Sequence, residues 1–112
     1  NNRKINSKLI KNLKTHNKKE KYFFSSIKPN HKSFEEKRYW RGPVWINCNW
    51  IIYQGLKNKD YLFSKKIKNL TIKLIEKKGI YEYYSCKNGK PMGASNFSWS
   101  AALYLDLILS KN

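Results

Sequence analysis

The sequence predicts an all-α fold with about four helices. Apolar residues recur at helical spacing in several stretches, and residues that commonly begin or end helices flank some of them. No stretch predicts a convincing strand. With 112 residues the chain can form one small domain with a modest core.

The first helix is predicted over residues 4–13, where Ile5, Leu9 and Leu13 recur every four positions among Lys and Asn. Residues 16–21 are polar and basic without periodicity, so we expect a solvated loop there. The aromatic run at residues 22–24 should be buried, and residues 27–38 should form an extended loop.

A helix hairpin is predicted next. Pro43 suits the first turn of a helix, and the apolar residues that follow predict a mostly buried helix over about 43–57. Asp60 is the predicted N-cap of a second helix, which ends at Gly79, a common C-terminal signal. Because so few residues separate the two helices, they should pack in an antiparallel arrangement.

The last part of the chain is predicted to be an irregular segment followed by a buried helix. Residues 80–84 are short and aromatic, and Asn88-Gly89 is a turn-forming dipeptide. Residues 98–110 are apolar nearly all round, which predicts that this helix is buried.

The net charge of +17 admits two explanations. An anionic partner such as nucleic acid is one, but Lys, Asn and Ile supply 45 of the 112 residues, as the codons of an AT-rich genome would favour. Residues 1–41 hold 13 bases and 3 acids, and the remainder holds 11 and 4. This even spread suits solvated faces better than one binding stripe, so no nucleic-acid partner is expected.

The cysteine spacing and the length of the apolar runs argue against a structural metal site and a membrane-spanning segment. Cys48 and Cys86 have no partner at zinc-ligand spacing, so we expect buried free thiols and no structural metal. No apolar run approaches the roughly 20 residues that span a bilayer, so no membrane partner is expected.

Two segments are rich in residues that bind sugars, at residues 39–45 and 81–100. They hold Trp40, Trp45 and Trp99, whose rings could stack on the apolar faces of sugars or pack in the core. Arg41 and Gly42 lie between two tryptophans, where a buried Arg needs an anionic or hydroxyl partner and a Gly lets a ligand approach the backbone.

Glu82 is the candidate catalytic residue because three tyrosines flank it. A carboxylate in an aromatic pocket has surroundings suited to general acid or base work, whereas a surface Glu would pair with Lys. Asp106, on an apolar helix, is expected to be a buried structural partner. The remaining acids lie in polar stretches and are expected to be solvated: Glu20, Glu35, Glu36, Asp60 and Glu76.

The run Tyr39-Trp40-Arg41-Gly42-Pro43-Val44-Trp45 resembles the signature of glycoside hydrolase family 63 and the mannosylglycerate hydrolase-like enzymes. The run Tyr81-Glu82-Tyr83-Tyr84, followed by Gly93 to Ala102, resembles the final loop and helix of the same family. The resemblance covers about residues 22–110, and residues 1–21 match only as a generic helix and basic loop.

This resemblance implies the C-terminal part of an (α/α)6 toroid, the six-hairpin glycosidase fold. It implies hydrolysis of an α-glucoside or α-mannoside with inversion and with Glu82 as general base. No cofactor or metal is expected. It assigns sugar binding to Tyr39, Trp40, Arg41, Gly42 and Trp45, with Trp99 closing the pocket.

The chain also departs from the family pattern. The acid aspartate has no counterpart here, and Lys90 lies in a turn where several relatives carry an acid, which leaves the preferred sugar open. We therefore expect 1–112 to be a fragment of a longer enzyme that needs the upstream portion of the toroid for activity. The alternatives are a small basic nucleic-acid-binding protein and an inactive relic of a broken gene.

Overall fold

The structure, a computed structural model, describes residues 2–18 and 20–111. Within these residues it contains four helices and one pair of strands. In chain order the elements are α1 (Asn2–Asn17), α2 (Ile46–Leu56), α3 (Tyr61–Lys78), β1 (Tyr81–Tyr84), β2 (Pro91–Ser95) and α4 (Ser98–Leu109). The prediction of a mainly helical chain with four helices is confirmed.

The first helix is longer than predicted, because it continues through residue 17 and includes His16. Ile10 and Leu13 pack against the core, whereas Ile5 and Leu9 are more than half exposed. No helix in the described part of the chain is long and apolar enough to cross a membrane.

Helices α2 and α3 form the predicted hairpin, and the predicted caps of α3 are confirmed. The Asp60 carboxylate accepts a hydrogen bond from the Phe63 N–H at 3.1 Å, and the Gly79 N–H donates to the Ile75 carbonyl at 2.7 Å. Aspartate suits the N-cap position because its carboxylate accepts a hydrogen bond from a first-turn N–H that has no partner inside the helix.

Helix α2 begins at Ile46, so the prediction that it begins at Pro43 was wrong. The backbone of Val44 is extended and exchanges two hydrogen bonds with Tyr84, at 2.7 and 3.0 Å. Trp45 has extended dihedral angles as the N-cap residue. Backbone groups used in this bridge cannot also form the first turn of a helix.

The expectation of a chain without strands was also wrong. Strands β1 and β2 pair antiparallel, and the pairing continues through Tyr84 to Val44 and from Val44 to Ser25 as isolated bridges. Val44 and Tyr84 are both 0% exposed, so this small patch of strand-like backbone lies at the centre of a core cluster.

Helix α4 lies where it was predicted but is not buried all round. It packs against α2 and α3, and only Ser100 and Leu107 are buried. Leu103 and Tyr104 are partly buried against the core, whereas four other large apolar side chains are 44–76% exposed: Trp99, Leu105, Ile108 and Leu109. The prediction of a buried helix was wrong for this chain, because no described element covers the outer face.

Asn49 joins the aromatic run to the helix hairpin. Its amide oxygen accepts from the Phe24 N–H at 2.8 Å, and its amide nitrogen donates to the Phe23 carbonyl at 2.6 Å and to Thr71 at 3.0 Å. Phe23 and Phe24 are buried, as predicted. A buried Asn with its hydrogen bonds made satisfies backbone groups that no helix or sheet satisfies.

Two acids that were expected to be solvated are instead mostly shielded and paired. The Asp60 side chain is 20% exposed and pairs with Lys14, and the Glu36 side chain is 25% exposed and pairs with Lys87.

Two further acids lie in other surroundings than expected. The Glu20 side chain is fully buried and accepts from the Ser25 N–H at 3.1 Å, so it is not solvated. Asp106 is exposed, although it does have a structural partner, since it accepts from the Trp50 indole N–H at 2.6 Å.

Both cysteines are free, but only Cys86 is buried, and Cys48 is partly exposed. Burial raises the pKa of the Cys48 thiol, and burial followed by the nearby Glu20 carboxylate raises the pKa of Cys86 to about 11.

Candidate active site

The first part of the site is the Tyr39 loop, which we define as residues 26–43. The loop closes on itself where it meets the core: the Ser26 N–H donates to the Pro43 carbonyl, and the Gly42 N–H donates to the Ser26 hydroxyl, both at 3.0 Å. Tyr39 has a φ of 33°, in the left-handed region that residues other than glycine rarely adopt. Tyr39 and Trp40 are thereby presented to solvent, at 48% and 42% exposure.

Four aromatic rings form one stack beside this loop. Trp40 lies nearly parallel to Trp45, with 3.8 Å between ring centroids, and Trp45 stacks on Tyr83 of β1 at 4.9 Å. Tyr39 meets three of the rings edge-on. Trp45 is only 2% exposed and donates its indole N–H to the Tyr39 carbonyl at 2.9 Å. Trp45 therefore supports the stack, and Trp40 offers an exposed ring.

Glu82 lies on β1 next to the stack, and each of its carboxylate oxygens accepts one hydrogen bond. The Tyr39 hydroxyl donates to Oε1 at 3.2 Å, and the Ala94 N–H of β2 donates to Oε2 at 3.0 Å. Among the residues described, no Lys or Arg forms an ion pair with Glu82. The alternative reading of Glu82, a surface carboxylate paired with a Lys, is therefore not what the described residues form.

Tyr39 is a neutral donor to that carboxylate. Desolvation and, after it, the hydrogen bond to Glu82 raise the pKa of the Tyr39 hydroxyl above its ordinary value. The hydroxyl therefore keeps its proton at neutral pH and can donate to an ionised carboxylate there.

A β-bulge places Glu82 against β2. Tyr81 pairs with Ser95 but Tyr83 pairs with Met92, so β2 has one extra residue opposite Glu82. Gly93 takes up this irregularity with a φ of 74°. A Cβ at Gly93 would lie 2.6 Å from Glu82 Oε2 and 2.7 Å from a ring carbon of Tyr83, so only glycine fits beside the carboxylate.

Arg41 and Gly42 have structural partners inside the Tyr39 loop. The Arg41 guanidinium pairs with Glu35 at 3.2 Å and donates to the Ser33 carbonyl at 3.2 Å, so its anionic partner is a residue of the chain. Gly42 is buried, and a Cβ there would collide with the backbone of Glu35 and Glu36. The small size of Gly42 serves the packing of the loop.

Trp99 lies apart from the aromatic stack. It is in the first turn of α4, is 46% exposed and makes a tilted contact with Phe97 at 6.3 Å. The same turn is joined to β1, because the Ser100 hydroxyl donates to the Tyr81 carbonyl at 2.7 Å. Trp99 thus belongs to an element anchored next to Glu82, although it makes no ring contact with the stack in the described residues.

No group of three or more His, Cys, Asp and Glu side chains placed to hold a metal ion occurs within residues 2–18 and 20–111. The chemistry available at the site is that of one carboxylate, two neutral hydrogen-bond donors and a set of aromatic rings.

Comparison with known protein families assigns the chain to one of them. Residues 1–100 match the family model described as the mannosylglycerate hydrolase MGH1-like glycoside hydrolase domain. The chain belongs to this family.

Relatives of this MGH1-like chain bear names of the same kind. A mannosylglycerate hydrolase of Thermus thermophilus is 43% identical over 90 residues, which are 78% of this chain and 21% of the relative. A glucosylglycerate hydrolase of Mycolicibacterium hassiacum is 29% identical over 89 residues, 72% of this chain and 18% of the relative. The chain thus spans about a fifth of the length of these curated relatives.

Solved structures agree with the family. The crystal structure of a GH63 mannosylglycerate hydrolase from Thermus thermophilus in complex with glucose superposes with a TM-score of 0.82 and 36% identity. It covers 89% of this chain, and the chain covers 26% of that structure. The MGH1-like segment therefore has the fold of part of an (α/α)6 toroid.

The fold of this MGH1-like segment brings together only some of the predicted site residues. Tyr39, Trp40 and Trp45 lie together beside Glu82, whereas Arg41 and Gly42 support the loop and Trp99 is separate. Three neighbours of Glu82 were not assigned to the site: Tyr83, Gly93 and Ala94. Tyr83 and Gly93 gave signals, Tyr83 as one of the tyrosines that flank Glu82 and Gly93 as a glycine in a short segment just after a turn.

Proposed function

We propose that this chain supplies the general-base part of the active site of an inverting α-glycosidase, with Glu82 as the base. The observation that supports this role is the Glu82 carboxylate, which Tyr39 and Ala94 hold at 3.2 and 3.0 Å beside an exposed aromatic ring. A base has to be held in place and also has to remain free to accept a proton.

The two hydrogen bonds leave Glu82 that capacity. An ionised carboxylate offers about four lone-pair sites, and two of them are used here. The other sites can accept hydrogen bonds from an attacking water. In an inverting enzyme the base removes a proton from this water while an acid about 6.5–9.5 Å away protonates the leaving oxygen. We assign the acid to a part of the enzyme other than the described residues.

The aromatic stack is the proposed sugar platform. Trp40 is 42% exposed and is backed by Trp45, so one ring is held rigidly and remains accessible. Tyr39 then has two roles, since its ring packs against the stack and its hydroxyl holds Glu82. Arg41 and Gly42 act indirectly by shaping the loop, and Trp99 borders the site from α4.

The proposed substrates are α-glycosides of a hexose with glycerate. This class follows from the names of the relatives, which are hydrolases of mannosylglycerate and of glucosylglycerate. Glycerate carries a carboxylate, and the net charge of +17 would attract such an anion over long range.

The test uses an enzyme in which this chain replaces the matching segment of the Thermus thermophilus mannosylglycerate hydrolase, which we call the chimera. In the chimera, Glu82→Gln should lower kcat by about 10²- to 10⁴-fold, because the amide keeps the shape but cannot accept the proton. The KM should change little. Glu76→Gln is the matched control, because Glu76 is exposed on α3 and accepts a hydrogen bond from the Tyr104 hydroxyl, away from Glu82.

The anomeric form of the first product, followed by NMR, tests inversion. A β-anomer released from an α-glycoside is the expected result. Full turnover by the Glu82→Gln chimera would remove Glu82 from the role of base, and an active chimera that releases the α-anomer would contradict inversion.

A further inference from the structure

The Tyr39 loop contacts the segment after Glu82 at a second place. The Ser85 hydroxyl donates to Glu36 Oε1 at 2.7 Å, and Lys87 Nζ lies 3.2 Å from Glu36 Oε2. Glu36 therefore binds to the chain just beyond β1, while Tyr39 of the same loop binds Glu82 within β1.

Both ends of this second contact are rigidly held. Ser85 is 2% exposed, its N–H donates to the Lys90 carbonyl at 3.0 Å, and its hydroxyl also accepts from the Lys87 N–H at 3.2 Å. On the loop side, a Cβ at Gly42 would lie 2.9 Å from the Glu36 Cα, which shows how closely the two backbones pack.

We propose that Glu36 is a positioning residue for hydrolysis, because it fixes the loop that carries Tyr39 and Trp40 to the strand that carries Glu82. This proposal rests on the proposed function of Glu82. Tyr39 and Glu36 are three positions apart on the loop, and Glu82 and Ser85 are three apart on the partner segment. The ring contacts of Tyr39 and the Trp45–Tyr39 hydrogen bond hold one end of this part of the loop. The Glu36 contact holds it at a second point and so opposes rotation about Tyr39.

The charge of Glu36 suits this role. The hydrogen bond from Ser85 and then the interaction with Lys87 lower the pKa of the Glu36 carboxyl below its ordinary value. The contact is therefore ionic at neutral pH, and hydrogen bonds to a charged acceptor are shorter and stronger than neutral ones. A small displacement of groups that act on the substrate can lower a rate by as much as about 100-fold.

Removal of this contact in the chimera tests the proposal. We expect Glu36→Ala to lower kcat/KM by about 10- to 100-fold. Glu36→Gln keeps an acceptor for Ser85 but loses the charge that pairs with Lys87, so its effect should be smaller than that of Glu36→Ala without vanishing. Glu76→Ala, which removes an exposed carboxylate from α3, should leave both kcat and KM unchanged.

A double-substitution cycle separates positioning from general destabilisation. If Glu36 acts through Tyr39, Glu36→Ala should lose at least half of its effect on log kcat when it is combined with Tyr39→Phe. Additive effects on kcat, accompanied by a fall in Tm, would overturn the positioning role. So would a Glu36→Ala chimera with unchanged kcat and KM.

A measurement on the chain itself does not depend on activity. The Trp45 indole N–H, which donates to the Tyr39 carbonyl, should exchange with solvent at least about tenfold faster in Glu36→Ala, by NMR. The Trp50 indole N–H, which donates to Asp106 of α4, is the internal reference and should not change. An unchanged Trp45 exchange rate would overturn the proposal.

The results also separate the two hypotheses. Turnover by the Glu82→Gln chimera would remove the proposed function whatever Glu36 does. An inactive Glu82→Gln chimera together with a fully active Glu36→Ala chimera would leave the function standing and remove only the positioning role.

Discussion

At Glu82 a short β-hairpin orients a single carboxylate. The bulge on β2 brings the Ala94 N–H to 3.0 Å from Oε2, and the Tyr39 hydroxyl holds the other oxygen. Bulges are common next to active sites because they redirect one side chain without breaking the strand pair. Gly93 permits the arrangement through its positive φ and its lack of a Cβ.

Two glycine substitutions should therefore have opposite effects on the stability of the chain. Gly93→Ala should destabilise it by more than about 1–2 kcal/mol, because the left-handed backbone is strained for alanine and the new Cβ would clash with Glu82 and Tyr83. Gly55→Ala should stabilise it by roughly 0.5–1 kcal/mol, because Gly55 is helical and a Cβ there meets nothing within 4 Å. Urea unfolding of both variants measures the sign of the change in the free energy of unfolding. Changes of the same sign in the two variants would contradict this account.

The residue types of the site were predictable, but their partners were not. The tyrosines around Glu82 and the tryptophans around Arg41 marked two segments that the fold brings together. That Arg41 would pair with Glu35, and not with a ligand, depends on how the Tyr39 loop folds back on itself. Contacts of this kind follow from tertiary packing, which spacing along the chain does not encode.

Among the elements, the helices were predicted because their signals are local. Apolar spacing and the caps Asp60 and Gly79 identified the helix hairpin. The strands have a weaker signal: the three tyrosines of β1 favour a strand but β1 is only four residues long, and β2 begins with Pro91 and contains a glycine. Their pairing is completed by Val44, about forty positions earlier in the chain, so only the folded arrangement defines them.

Asp60 joins two elements and should make their stability depend on pH. It caps α3, and its Oδ2 pairs with Lys14 of α1 at 2.5 Å. The hydrogen bond from Lys14, followed by the one from the Phe63 N–H, lowers the pKa of the Asp60 carboxyl. A carboxyl with a lowered pKa in the folded state adds stability above its unfolded pKa, and that stability is lost as pH falls through the folded pKa.

We therefore expect Asp60→Ala to cost about 1–2 kcal/mol at pH 7, mostly from the lost cap. Asp60→Asn keeps a good capping oxygen and should cost less. The difference between the parent and Asp60→Asn should shrink as the pH is lowered below the unfolded pKa near 3.8. Urea unfolding between pH 2.5 and pH 7 measures this, and a pH-independent difference would show that the charge of Asp60 contributes nothing.

At the scale of the whole molecule, the shape is that of a segment with uncovered sides. The chain measures 42 × 38 × 19 Å and exposes 7175 Å², against about 6,500 Å² expected for a globular protein of its mass. Part of the excess is apolar: Leu105, Ile108 and Leu109 on α4 are 44–76% exposed, and Ile5 and Leu9 on α1 are 57% and 55% exposed. In an (α/α)6 toroid, neighbouring helices would cover faces of this kind.

The last prediction is that activity returns only when these faces are covered. The chain alone should hydrolyse neither mannosylglycerate nor glucosylglycerate, because the proposed base and sugar platform lack a described acid opposite Glu82. Mixed with the Thermus thermophilus enzyme lacking the matching segment, it should restore hydrolysis with a rate that saturates as its concentration rises.

Leu109→Lys should raise the concentration of this chain that restores half of the maximal rate, because a charge on the outer face of α4 opposes burial of that face. Lys111→Arg is the matched control, since it keeps the charge of an exposed residue two positions away. Hydrolysis by the chain alone at the rate of the chimera would mean that the acid lies within these residues. In that case Asp106, exposed on α4 and bound to Trp50, would be the first carboxylate to substitute.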